Sequence, residues 1–153
     1  MQIRLDSTLT HPDVIALLEA HLDDMRAISP PESVHALDLD ALRGPTLRFW
    51  TAWSDADSLM GCAALKIHDA TLGEIKSMRT SRSHLRQGVA AALLNHVIES
   101  ARELGLQTLS LETGSTEHFA AARRLYEVNG FSECPPFADY TLDPHSTFMS
   151  RSI

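Results

Sequence analysis

The feature that most constrains this chain is a long amphipathic stretch at residues 86–104, bounded by strand-like runs on both sides. Val89, Leu93, Val97, Ala101 and Leu104 recur at helical spacing, while Asn95, Glu99 and Arg102 lie off that face. Gly105 follows as a natural helix terminator. Residues 106–111 then alternate as a strand, and a strand-like run at 71–79 precedes the helix. The rest of the chain groups around this unit. Residues 2–5 alternate polar and apolar as a first strand. A helix opens at Thr10-His11-Pro12-Asp13, with Thr10 as its cap, and Val14, Leu18, Leu22 and Met25 carry a buried stripe to about residue 28. Pro30-Pro31 ends it. Residues 32–43 are short, polar and broken, and read as a loop with one helical turn, a candidate lid. Strands are expected at 46–53 and 58–66, a second helix at 116–129 closed by Gly130, and two last strands at 131–133 and 147–151. This order predicts an α/β (α+β) fold: a mixed, mostly antiparallel twisted sheet of about seven strands with helices on both faces. No repeat or linker interrupts it, so residues 1–153 read as a single domain.

Charge and cysteine content narrow the function. A formal net charge of −7 argues against nucleic acid and anionic membranes as partners and favours cationic or neutral ones. No apolar run reaches the roughly 20 residues of a membrane span. Asp6 stands where a secretion signal has its apolar stretch, and Cys62 and Cys134 form no CxxC pair, so a reducing cytoplasm is the expected location. The eight histidines are dispersed, with no HExxH and no Cys/His cluster, so no metal is expected. No GxSxG occurs either.

Two segments carry candidate chemistry. At 78–91 a strand, a short loop and a helix start follow one another, and a helix N-terminus presents unpaired N–H groups with partial positive charge. Gly88, Ala90 and Ala91 leave room there for a diphosphate, and Arg82 and Arg86 add charge. A helix that starts at a glycine for packing reasons explains that segment equally well when it is taken alone. Further on, Phe119, Ala122 and Tyr126 share one helical face, directing Tyr126 inwards, where a buried hydroxyl needs a partner. A backbone carbonyl is its ordinary partner.

Taken together, Gly88-Val89-Ala90 with Leu93-Leu94, then Ala122, Leu125-Tyr126 and Gly130-Phe131, resemble the GNAT acetyltransferases along almost the whole chain. The similarity is closest to small bacterial members of unassigned substrate, which carry runs like Gly73-Glu74-Ile75-Lys76-Ser77-Met78-Arg79-Thr80 and Pro136-Phe137-Ala138-Asp139-Tyr140. The resemblance implies acetyl-CoA as co-substrate. It implies that backbone groups of Met78, Arg79 and Thr80 hold the pantetheine arm and acetyl carbonyl. N–H groups of Arg86, Gln87, Gly88, Val89, Ala90 and Ala91 would cradle the pyrophosphate. Three positions depart from the family pattern: Leu85 replaces the usual Arg or Gln, Ala90 the second glycine, and Phe119 the asparagine of the later helix.

The implied reaction is direct attack of an amine on the thioester in a ternary complex. A backbone N–H near Met78 would stabilise the oxyanion. Tyr126, at the position of the family's usual acid, would protonate the departing sulfur, since a phenol near pKa 10 and a thiol near 8.5 are well matched. Glu74 and Glu112 are the candidate bases for the amine, Glu74 being the first choice. Residues 30–42 and 135–148 are expected to shape the acceptor pocket, with Asp139 and Asp143 receiving a cation, or alternatively Arg43, Arg48 or Arg79 receiving a carboxylate. The acceptor is expected to be a small-molecule primary amine, with a protein amine as the variant. The competing reading is a non-catalytic acyl-CoA-binding or regulatory module. Homodimers are common in the resembled family, though no residue here specifies one.

Overall fold

The computed structural model describes residues 1–153. Seven strands form one sheet: β1 (Gln2–Leu5), β2 (Leu47–Trp53), β3 (Leu59–Ile67), β4 (Leu72–Thr80), β5 (Thr108–Gly114), β6 (Ser132–Glu133) and β7 (Ser146–Ser152), in the order β1-β2-β3-β4-β5-β7-β6. Every neighbouring pair is antiparallel except β4 and β5, which are parallel. Four helices accompany it: α1 (Pro12–Ile28), α2 (Leu39–Leu42), α3 (Val89–Glu103) and α4 (Ala120–Val128). No helix is long and apolar enough to cross a membrane.

Side-chain alternation assigns each helix to a face. Leu93, Leu94, Val97, Ile98 and Ala101 of α3 pack with Tyr126 of α4 against Trp50, Ala63, Leu65, Ile75, Leu109, Leu111 and Met149. Val14 and Leu18 of α1 pack with Leu42 of α2 on Phe49, Cys62 and Ala64 of the opposite face. Pairing partners in an antiparallel ladder share a face. Ala64↔Lys76, Lys66↔Glu74 and Glu112↔Phe148 therefore direct Glu74, Lys76 and Glu112 to the α1 side.

Several elements differ from the sequence expectation, for local reasons. The long helix begins at Val89, because Arg86 (φ 60°) and Gly88 (φ 80°) occupy the left-handed region and cannot continue it backwards. Leu104, expected on the buried stripe, caps the C-terminus and is exposed. His11, not Thr10, caps α1: its Nδ1 accepts the Asp13 N–H at 3.1 Å. Residues 32–43 hold a 3-10 turn at Pro31–Ser33 and α2, whose Ala41 N–H donates to the Asp38 carboxylate at 2.9 Å. The later helix is split into a 3-10 turn, Glu117–Phe119, and α4.

The sheet is disturbed at its centre. Cys62 pairs with Arg79 and Ala64 with Lys76, so Ser77 and Met78 together oppose Ala63, and Ser77 takes φ 52°. Such a bulge bends its strand and increases the twist. Parallel pairing of β4 to β5 runs only from Leu72↔Thr108 to Ile75↔Leu111. Beyond it the two strands separate. Gly61 permits the β3–β4 contact beside the bulge, since a Cβ there would lie 2.6 Å from the Arg79 carbonyl oxygen. Gly61→Ala is expected to cost about 1–3 kcal/mol, as overpacking does, read as a lowered midpoint in thermal unfolding. An unchanged midpoint would mean that β4 yields at no cost.

Candidate active site

The separation of β4 from β5 opens a cavity of about 330 Å³ that is lined from both faces of the sheet. Glu74, Lys76 and Glu112 contribute from the α1 side, with His21 and Met25 of α1, while Ala122 and Tyr126 of α4 line it from the other. The cavity therefore joins the two layers where the sheet lacks hydrogen bonds. Of the residues expected at the site, Glu74, Met78, Arg79 and Tyr126 line it. Thr80 pairs with Gly61 at the end of β4, and residues 86–91 lie outside the cavity, at the start of α3.

Glu74 is 2% exposed and heavily partnered. Its Oε1 is 2.8 Å from His68 Nε2, while Oε2 accepts from the Tyr140 hydroxyl at 2.6 Å and from Lys76 Nζ at 3.2 Å. A buried carboxylate is tolerable only with such pairing. Lys76 Nζ also donates to the Tyr140 oxygen at 2.9 Å. Burial and the Glu74 carboxylate push the Tyr140 hydroxyl well above the usual phenol range, so it stays protonated. The cluster ties the 135–148 segment to the sheet. That segment in turn meets residues 30–36: Tyr140 packs edge-on against His35 with ring centres 4.9 Å apart, and the Ser33 hydroxyl donates to Asp143.

Glu112 is much less engaged. It accepts one long hydrogen bond, from Ser146 Oγ at 3.4 Å. Burial pushes its pKa up to about 7, with Glu74 and Asp143 adding to the shift and Lys76 and Ser146 opposing it. Tyr126 is 6% exposed, and its ring packs at 5.8 Å from that of Phe131. The backbone carbonyl expected to take its hydroxyl is absent, and that oxygen has no hydrogen-bond partner in the protein. Burial first, and the Glu112 carboxylate second, raise its pKa well above the phenol range, so the near match with a thiol does not hold in the free protein.

At the start of α3 the first helical bond is from Ala92 N–H to the Gly88 carbonyl, 3.0 Å. The N–H groups of Val89, Ala90 and Ala91 ahead of it have no helical acceptor, and no side chain caps them. A Cβ on Gly88 would meet nothing within 4 Å, so the approach is open.

The arginines proposed as carboxylate receptors are committed elsewhere. Arg43 donates to the Thr8 and Leu9 carbonyls, Arg48 to that of Leu47, and Arg79 pairs with Asp24. Sequence reasoning passed over His68 and Lys76, the partners of Glu74, and His21. Lys76 was discoverable, standing two residues from Glu74 on the same strand face. His21 lines the cavity with its Nδ1 buried and unpartnered, and burial together with Arg79 lowers its pKa to about 4. His21 shares helical spacing with Val14, Leu18 and Met25, the signal that could have found it, whereas no periodicity marks His68.

Comparison with known proteins fits this geometry. Residues 14–131 match the acetyltransferase (GNAT) family. Over all 153 residues the chain is 54% identical to YsnE of Bacillus subtilis, an uncharacterized N-acetyltransferase, covering 100% of both chains. It is 50% identical over 145 residues to YedL of Escherichia coli, likewise an uncharacterized N-acetyltransferase, covering 95% of this chain and 91% of that one. Among solved structures, a Klebsiella pneumoniae protein described as an acyl-CoA N-acyltransferase superposes with a TM-score of 0.82 at 31% identity, over 99% of this chain and 96% of that one. The chain belongs to the GNAT acetyltransferase family. It is an acetyltransferase of the acyl-CoA-dependent kind.

The Glu112 environment predicts a pH-dependent stability. Its folded pKa, about 7, lies above the ordinary 4.5, so the folded state holds the proton more tightly and loses stability as pH rises from 4.5 through 7. Glu112→Gln lacks that loss. Calorimetry should find the variant's unfolding midpoint above wild type by roughly 3–8 °C at pH 8, with the difference shrinking towards pH 4.5. A difference independent of pH would contradict it.

Proposed function

We propose that the chain transfers the acetyl group of acetyl-CoA to the primary amine of a small molecule, by direct attack in a ternary complex. The observation that carries this reading is the unpartnered Tyr126 hydroxyl, set at the same cavity as Glu112 but on the opposite side of the sheet. A thioester entering from the α3–α4 side and an amine entering from the α1 side would meet there. In this reading the whole chain works as one domain.

The free N–H groups of Val89, Ala90 and Ala91, with the open approach at Gly88 and the exposed Arg86 and Gln87, would hold the diphosphate. Backbone groups of Met78, Arg79 and Thr80 border the gap, their β5-side edge having no strand partner, and would receive the pantetheine amides and the acetyl carbonyl. An N–H near Met78 would stabilise the tetrahedral oxyanion. Tyr126 keeps its proton at physiological pH and acts as the general acid towards the departing sulfur. Glu74 or Glu112, both on the acceptor side, takes the proton of the incoming ammonium. The mouth closed by Tyr140 against His35 and by Asp143 against Ser33 suits a small acceptor better than a protein chain.

Thermal shift tests the donor. Acetyl-CoA at 100 times its Kd should stabilise by about 2.7 kcal/mol, and NADH should not. Tyr126→Phe should bind coenzyme A normally and lose about 100-fold or more in thiol release across a panel of primary amines. Full activity in that variant would make Tyr126 a packing residue.

A further inference from the structure

On the acceptor side, two opposite charges stand abreast without meeting. Ile75↔Leu111 is the last pair between β4 and β5, so Lys76 and Glu112 are the next residue on each strand. Both are directed to the α1 face and both line the cavity. Neighbours of opposite charge on adjacent strands ordinarily attract one another. Here the strands have parted: the one ion pair of Lys76 is with Glu74, and Glu112 makes only its long contact with Ser146. A cation and an anion therefore flank the gap.

The Lys76 ammonium is also incompletely used. Its side chain is 8% exposed, and it carries three N–H donors. Two are taken, by Glu74 Oε2 at 3.2 Å and by the Tyr140 oxygen at 2.9 Å. Glu74 offers it only a shared oxygen, since the Tyr140 hydroxyl donates to the same Oε2 at 2.6 Å. The third N–H has no acceptor in the protein, which is costly for a buried ammonium.

We propose that the acceptor is an α-amino acid with a neutral side chain, bound as its zwitterion across the gap, with its ammonium at Glu112 and its carboxylate at Lys76. This rests on the acetyl-transfer reading above. An α-amino acid presents both charges from one carbon, which matches a cation and an anion on the two sides of one opening. A plain amine leaves the Lys76 N–H unpaired, and a polyamine sets a second cation beside it. The wall towards α1 and residues 30–36 holds Met25, Val34 and the neutral His21. The charges nearby are engaged, Arg79 by Asp24 and Asp143 by Ser33, so an uncharged side chain fits there. In the reaction the α-nitrogen bonds to the acetyl carbon, and the C–S bond breaks with its electrons on sulfur. The ammonium gives up two protons, one ending on the coenzyme A thiol and one in solvent. The N-acetylamino acid formed has no positive charge left for Glu112 to hold, which favours its release.

The test follows thiol release from acetyl-CoA with L-alanine, L-leucine, L-methionine, L-phenylalanine and L-glutamine, each beside its decarboxylated amine, and with spermidine and trialanine. The best amino acid should exceed its amine by about 100-fold in kcat/KM, mainly through KM. Lys76→Met should bring that ratio close to one, whatever the absolute rates, and Lys76→Arg, which keeps the charge, should retain a preference. A thermal shift with coenzyme A checks that each variant is folded; if Lys76→Met fails it, the wild-type ratio decides alone. Three results would overturn the proposal: an amine, spermidine or trialanine used as well as the best amino acid, a ratio unmoved in Lys76→Met, or coenzyme A binding with no thiol release from any amino acid. Failure of wild-type protein to bind coenzyme A would instead sink the acetyl-transfer reading itself.

Discussion

The candidate site in this chain depends on two adjacent strands that start as partners and then part. Parallel pairing of β4 and β5 stops after four residue pairs. The bulge begins at Ser77, two residues beyond the last pair, Ile75↔Leu111. Ser77 pays for the parting: it sits at φ 52°, which a serine adopts only at some cost, and its buried hydroxyl has no partner. Such a cost persists only where surrounding packing fixes it. Here Cys62 donates its thiol to the Ser77 carbonyl at 3.3 Å, and Gly61 lets the strands come close.

The same parting gives the proposed chemistry its two sides. A continuous sheet separates its faces completely, whereas a gap lets groups rooted in different layers address one small volume. Tyr126 reaches it from a helix packed in the α3 core, Glu112 from the opposite face. Burial beside the gap strengthens interactions between charges and makes lone carboxylates costly. That condition explains the contrast between Glu74, paired with three hydrogen-bonding groups, and Glu112, whose cost appears as a raised proton affinity.

The elements were legible in the sequence because apolar periodicity records which face is buried. The stripe Val89, Leu93, Val97 and Ala101 is buried as its spacing implies, and the expected sheet order class and GNAT membership hold. Register left weaker traces. The bulge at Ser77 comes from pairing with β3 and from no residue type in β4 itself. Arg86 at φ 60° looks like any helical arginine in sequence. At the site, Glu74, Glu112 and Tyr126 were legible as chemically able groups near family motifs. Their difference in engagement was not, because His68 and Tyr140 approach Glu74 from segments six and 66 residues away.

The most direct test of the central claim is a crystal structure of the coenzyme A complex. The pantetheine arm should lie between β4 and β5, with its sulfur within hydrogen-bonding distance of the Tyr126 hydroxyl and its diphosphate at the start of α3. A sulfur outside the gap, or a diphosphate bound away from Val89–Ala91, would contradict the view that the strand separation is what makes this fold an enzyme.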